Sequence, residues 1–251
     1  MNGTSDIVSK LSSILILGVR VHNISFEETV EVLKMMASSG KAHQVVTINP
    51  EFVIEAQRNN EFNKVLNNAS LGLPDGMGII WSARFLGQQM KERVAGVDVV
   101  WAICKLASES GLRVFFLGAA PGVAEIAASR LKSVYPRLEI AGNFSGSPKL
   151  EDEEEICSRI EEAKPDVLMV AFGAPQQDLW IARTASRLKV PVAIGVGGAF
   201  DYIAGITKRA PRWLQRAGFE WLFRLIRQPW RWKRMTNLPR FAGKVVWERF
   251  R

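Results

Sequence analysis

Six short polar segments carry the residues whose types and spacing could do chemistry. In Leu73-Pro74-Asp75-Gly76-Met77-Gly78, Asp75 falls at the N-cap position of the helix expected next, so its carboxylate could cap that helix or act as a general base. The Gly76-x-Gly78 pair is a fragment of a dinucleotide fingerprint, but Trp81 stands where the third glycine belongs. In Thr47-Ile48-Asn49-Pro50-Glu51, Thr47 and Asn49 alternate off a strand end and could share one cleft. Pro50 favours an extended Asn49 and a helix beginning at Pro50 or Glu51, so Asn49 could equally be a cap. Glu92-Arg93-Val94-Ala95-Gly96-Val97-Asp98 offers Arg93 to a phosphate, or to Asp98 or Glu92 in a surface bridge.

The other three segments are rich in small residues. Phe115-Phe116-Leu117-Gly118-Ala119-Ala120-Pro121-Gly122 runs from a buried strand to a helix expected to open at Pro121, presenting free N–H groups to an anion. Ala171-Phe172-Gly173-Ala174-Pro175-Gln176-Gln177-Asp178 repeats that plan, with the Gln177 amide expected to face the cleft. Gly195-Val196-Gly197-Gly198-Ala199-Phe200-Asp201 gathers glycines at a strand end, where a ligand could approach the backbone. Each alone could be packing or a plain turn. Their recurrence at the strand ends of one sheet points to a ligand site.

Several chemistries lack their residues. Two histidines, His22 and His43, without metal-ligand spacing argue against a His-based zinc site or triad, and no Gly-x-Ser-x-Gly elbow occurs. No Asp-x-Asp pair stands ready to hold a divalent cation on a nucleotide diphosphate. Backbone amides and arginines would then have to meet a diphosphate's charge, and no metal or cofactor is expected.

The elements that must position these segments alternate. Ile14–Val21, Gln44–Ile48, Arg113–Leu117, Leu138–Phe144, Asp166–Phe172 and Pro191–Val196 have strand length and strand composition. Ser25-Phe26-Glu27-Glu28 is a capping box opening a helix through about Met36, and Glu151–Ala163 and Gln176–Leu188 read as helices. The pattern predicts an α/β, Rossmann-like fold: a mainly parallel sheet flanked by helices, with ligands beyond the carboxyl ends of the strands.

Composition fits such a core. Of 251 residues, 47% are hydrophobic and 23% charged. Cys104 and Cys157 are too few for a disulfide framework, which makes a reducing cytosolic setting the expectation. No apolar run is long enough to span a bilayer, and no signal sequence opens the chain. The net charge of +8 is uneven. Residues 207–251 hold 13 Lys/Arg against 2 Asp/Glu, a local +11, whereas residues 1–206 hold 20 against 23, a local −3. That division suggests a core over 1–206 and a basic, Trp-rich helical C-terminal appendage over 207–251, with five of the eight tryptophans. On a helical wheel Arg224, Arg227, Arg231 and Arg234 share a stripe apart from Leu222, Leu225 and Ile226, although Pro229 can reset the phase. Such a segment suits an anionic membrane interface or a phosphorylated substrate. Two rival classes are a nucleotide-cofactor oxidoreductase, weakened by the missing glycine, and a nucleic-acid binder gripping with the basic tail.

Read in order, Thr47-x-Asn49, Leu73-Pro74-Asp75-Gly76-x-Gly78, Glu92-Arg93-Val94-x-Gly96-x-Asp98, Leu117-Gly118-Ala119, Gly173-Ala174-Pro175-x-Gln177, Gly195-Val196-Gly197-Gly198-x-Phe200-Asp201-x-x-Ala204-Gly205 and Arg209-Ala210-Pro211 resemble the WecG/TagA/CpsF glycosyltransferases, glycosyltransferase family 26. The resemblance spans about Ile14 to Leu238. It implies inverting, metal-independent transfer of a hexosyl group (N-acetylmannosamine-type or glucose) from a UDP-sugar to a polyprenyl-diphosphate-linked sugar, in synthesis of a surface polysaccharide or teichoic acid. Asp75 would be the general base. Thr47, Asn49 and Gln177 would hold the sugars, and Arg93 would orient a ligand or steady Asp75. Gly118, Gly197 and Gly198 would contact UDP, and Arg224, Arg231 and Arg234 would bind the diphosphate. The implied partners are the donor, the lipid-linked acceptor, an anionic membrane surface at the inner face of the bacterial membrane, no nucleic acid, and a homo-oligomer as an open option.

Overall fold

The structure, a computed structural model, describes residues 11–229 and 232–251, apart from the side chains of Lys233 and Arg234. Its first element corrects an expectation. Ile14–Val21 is two strands, β1 (Ser13–Ile16) and β2 (Val19–His22), paired antiparallel about a turn with Leu17 at φ 49° and Gly18 at φ 76°. Two successive left-handed residues twist a two-residue hairpin the right way, and the chain folds back. Ser25 and Glu28 form the expected capping box, and α1 spans Phe26–Ala37.

From there strands and helices alternate: β3 (His43–Ile48), α2 (Pro50–Ala56), α3 (Asn60–Asn68), β4 (Leu71–Pro74), α4 (Met77–Phe85), α5 (Gly96–Ser110), β5 (Arg113–Gly118), α6 (Val123–Val134), β6 (Glu139–Phe144), α7 (Leu150–Ala163), β7 (Val167–Ala171), α8 (Gln176–Leu188), β8 (Val192–Gly195) and α9 (Ala199–Ile203). The six later strands form one parallel sheet in the order β4-β3-β8-β7-β5-β6. β4 had no counterpart among the expected strands. Its glycine and proline disfavour strand, yet both are tolerated because β4 is the outermost strand. The hairpin covers that exposed edge: Gly72 N–H donates to His22 Nδ1 at 2.9 Å, and Arg20 Nη2 donates to the Ala69 carbonyl at 3.0 Å. Burial lowers the His22 pKa to about 4, so the ring stays neutral and keeps Nδ1 as an acceptor.

Both sheet faces are apolar, so the central strands read as unbroken hydrophobic runs. Val114 and Phe116 of β5 and Val167 and Met169 of β7 face α1, α5, α6 and α9, while Phe115, Leu117, Leu168 and Val170 face α7 and α8. Pro121 does not open α6: that helix starts at Val123, after Gly122 at φ 81°. Proline's preset φ suits the loop before the helix as well as its first turn.

Among the described residues beyond 211 there are four short or medium helices, α10 (Arg212–Arg216), α11 (Glu220–Arg227), α12 (Trp232–Met235) and α13 (Asn237–Arg249). The arginine stripe is therefore not continuous, because α11 stops before Pro229. α13 returns to the body, where Phe241 and Val245 are buried in one cluster with Phe52, Val53 and Ile79. Among the described residues no helix is long and apolar enough to cross a membrane.

Candidate active site

Five expected loops do lie at the carboxyl ends of sheet strands: those after β3, β4, β5, β7 and β8. The sixth, Glu92–Asp98, follows α4 and reaches the same rim by another route. Val94 N–H donates to the Pro74 carbonyl at 2.9 Å, bringing Arg93 beside the end of β4. A cavity of about 520 Å³ opens there. Asn49, Asp75, Arg93, Gly198 and Arg224 all line it.

Asp75 continues the strand ladder, its N–H donating to the Ile48 carbonyl at 2.8 Å. It is not the helix N-cap. Gly76 occupies that position at φ 97°, without a side-chain cap, so the Asp75 carboxylate is left for the cavity. Loss of solvent raises Asp75 to about 6. Arg93 opposes the rise, Glu220 adds to it, and the Gly96 amide and Arg209 oppose it more weakly. A carboxylate near 6 is poised to accept a proton at neutral pH.

The cationic wall is held by a chain of ion pairs. Arg93 Nη1 donates to Glu220 Oε2 at 3.0 Å, Arg209 Nε donates to Glu220 Oε1 at 3.3 Å, and Arg209 also grips Asp98 with both Nη atoms. Arg93 thus pairs with neither Asp98 nor Glu92 but with Glu220, 127 residues away on α11. Arg224 comes from the same helix. A Cβ on Gly198 would lie 2.7 Å from Arg224 Nη2, so only glycine lets the guanidinium settle there. Its Cζ sits 5.2 Å from the Tyr202 ring centre, and its buried Nε has no hydrogen-bond partner. That leaves a cation with an unspent donor in a cavity wall.

The remaining expected residues sit beneath the cavity or away from it. Asn49 Oδ1 caps α2, accepting from Phe52 N–H at 3.1 Å, while the residue also lines the cavity. Thr47 and Gln177 are buried and do not line it. Thr47 Oγ1 donates to the Gly195 carbonyl at 3.3 Å. Gln177 Oε1 accepts from Gly173 N–H at 3.1 Å and Gly197 N–H at 3.0 Å, pinning two loops together instead of opening into the cleft. Gly118, at φ 96°, packs against Ala171 and Phe172 away from the cavity lining. Arg231 lies outside the described residues, as does the Arg234 side chain. Below Gln177, Asp178 is wholly buried with neither oxygen hydrogen-bonded. Burial raises it to about 7, and the neighbouring Gln177 amide offsets only part of that rise.

Sequence reasoning did not single out Glu220, Arg209, Asp98, Tyr202 or Trp81 as site residues. Arg209 and Asp98 sit in motifs that marked the right segments, but pairing across more than a hundred positions leaves no local signal. Among the described residues no group of three or more His, Cys, Asp or Glu side chains could hold a metal ion.

A parallel α/β sheet with a carboxylate and arginines at its carboxyl rim is the architecture of an enzyme handling an anionic substrate. The family model described as "Glycosyl transferase WecG/TagA/CpsF family" matches residues 14–251, and the chain belongs to that family of glycosyltransferases. It is similar to the N-acetylglucosaminyldiphosphoundecaprenol N-acetyl-beta-D-mannosaminyltransferase of Bacillus subtilis strain 168, at 34% identity over 91% of each chain. Proteins of the same name from Bacillus spizizenii and Staphylococcus aureus MRSA252 are 37% and 32% identical. These alignments cover 80% and 95% of this chain, and 78% and 94% of the relatives.

Proposed function

We propose that this glycosyltransferase moves a hexosyl group, of the N-acetylmannosamine type, from a UDP-sugar to a sugar linked through diphosphate to a polyprenol. The observation that carries the reading is one cavity in which Asp75 lies among Arg93, Arg209 and Arg224. The relatives' names supply the acceptor class and the transferred sugar. Asp75 takes the proton from the acceptor hydroxyl as its oxygen attacks the anomeric carbon. The bond from that carbon to the UDP oxygen breaks as the new one forms, inverting the centre. The arginines meet the charge that develops on the departing diphosphate. Asn49 contacts sugar. Thr47, Gln177, Gly118 and Gly197 shape the rim from below, and Arg231 and Arg234 add cationic charge to the appendage.

The appendage over 207–251 carries a local charge of +11, which holds the enzyme at an anionic membrane face where a lipid-linked acceptor resides. Incubation with a panel of UDP-sugars and a polyprenyl-diphosphate-linked N-acetylglucosamine should release UDP with one N-acetylhexosamine donor. Asp75→Asn should cut that rate about 10²–10⁴-fold without lowering the melting temperature. Release of UDP by Asp75→Asn at the wild-type rate would remove Asp75 as the base.

A further inference from the structure

Arg93, Arg209, Glu220 and Arg224 of the cavity lining gather about Asp75, and Ser82, farther along α4, donates a hydrogen bond from its hydroxyl to the Gly78 carbonyl. From the Asp75 loop, α4 carries Met77, Trp81 and Phe85 at intervals of four, all three in the cavity lining. Residues so spaced share one helix face. Opposite them α13 presents Leu238, Phe241, Ala242, Val245 and Val246, again one stripe, also in the lining. The two stripes face each other as the walls of a trough. It starts at the catalytic carboxylate and follows α4 for about 12 Å.

This trough is not sealed core. Trp81, Phe85 and Val246 are 45%, 43% and 46% exposed, an apolar surface that solvent alone does not explain. At its inner end the chain crosses at Gly218, where an added Cβ would lie 2.5 Å from the Trp81 ring, so the appendage backbone fixes one wall directly. A concave apolar track leading out of a charged pocket fits a ligand built the same way, with a charged head and an extended hydrocarbon tail. A flat bilayer surface would not need the concavity.

We infer that the trough between α4 and α13 binds the first isoprene units of the lipid-linked acceptor, an inference that rests on the transfer reaction proposed above. With the acceptor sugar at Asp75 and its diphosphate near the arginines, the hydrocarbon leaves along Trp81, Phe85 and Val246. The protein then recognises lipid as well as sugar, before any contact with the bilayer.

The test uses N-acetylglucosaminyl diphosphate esterified with methyl, geranyl or farnesyl groups, as monomers without vesicles or detergent. Each fully buried methylene is worth about fourfold in affinity, so KM should fall at least about tenfold from methyl to farnesyl, with kcat changing little. Phe85→Ser and Val246→Ser, both at half-exposed positions, should shrink that ratio below about threefold. Equal KM values in the wild type, a ratio that survives both substitutions, or a preference appearing only when vesicles are added would each overturn the inference while leaving transfer standing. Calorimetry with farnesyl diphosphate decides the matter even if no acceptor turns over. Binding tighter than methyl diphosphate, and weakened by Phe85→Ser, supports the trough; equal binding of the two diphosphates overturns it.

Discussion

Two aspartates show how one cause serves different ends. Burial raises both Asp75 and Asp178, to about 6 and about 7. Asp75 opens on a cavity with arginines beside it, so its proton can be exchanged with a substrate. The acidic limb of kcat/KM should accordingly fall as pH drops through about 6. Asp178 is sealed beside Gly195, where the Gln177 amide offsets only part of the cost of its burial. A carboxyl raised in the folded state holds its proton after the unfolded chain has lost its own, so stability falls as pH rises from about 4 to about 7. Asp178→Asn keeps the shape and removes the titration. Its melting temperature should draw level with or pass the wild type at pH 7, with the advantage growing steadily upward from pH 4. A constant difference across that range would show that Asp178 does not titrate between folded and unfolded states. Sequence alone placed Asp178 only at the end of the segment Ala171–Asp178, since its isolation depends on Gly195, which lies on another strand and meets it only in the fold.

At the scale of elements, α11 sets the electrostatics of a carboxylate on a loop it never adjoins in sequence. Glu220 pairs with Arg93 and Arg209 and raises Asp75 by its charge. Glu220→Gln should move the acidic limb of the rate profile to lower pH and weaken the seating of α11; a pH profile unmoved by the substitution would leave Glu220 a structural tie alone. The elements themselves were legible where local physics decides them. The capping box opened α1, α8 ran over Gln176–Leu188 as expected, and most strands of the parallel sheet announced themselves through apolar content. What could not be read was set by neighbours. β4 is a strand because β3 and the hairpin flank it, against the preference of Gly72 and Pro74. Gln177 became a tie between loops because Gly195 leaves room for it, which no spacing reveals. For the site, Asn49, Asp75, Arg93, Gly198 and Arg224 converge on one cavity. Glu220 escaped notice because only the returning tail brings it there.

Across the whole molecule, positive charge and exposed tryptophan are concentrated toward one end of the chain. Residues 1–206 carry a local charge of −3 and residues 207–251 one of +11, and exposed Trp213, Trp232 and Trp247 lie in the second stretch. Binding of the intact protein to vesicles containing anionic lipid should weaken at least tenfold between about 0.05 and 0.5 M salt as screening shortens the reach of those charges; affinity indifferent to salt would assign the contact to the tryptophans instead. The packing of Phe241 and Val245 against Phe52 and Val53 has a consequence for biosynthesis. The parallel sheet is complete once β8 has left the ribosome, but Arg224 on α11 and the apolar wall on α13 follow it in the chain, α13 several seconds later at ordinary translation rates. Until then a nascent chain carries the Asp75 loop without Arg224 and without the second apolar wall. The cavity with both of its apolar walls is thus assembled only after α13 has been made, later than the sheet that carries Asp75.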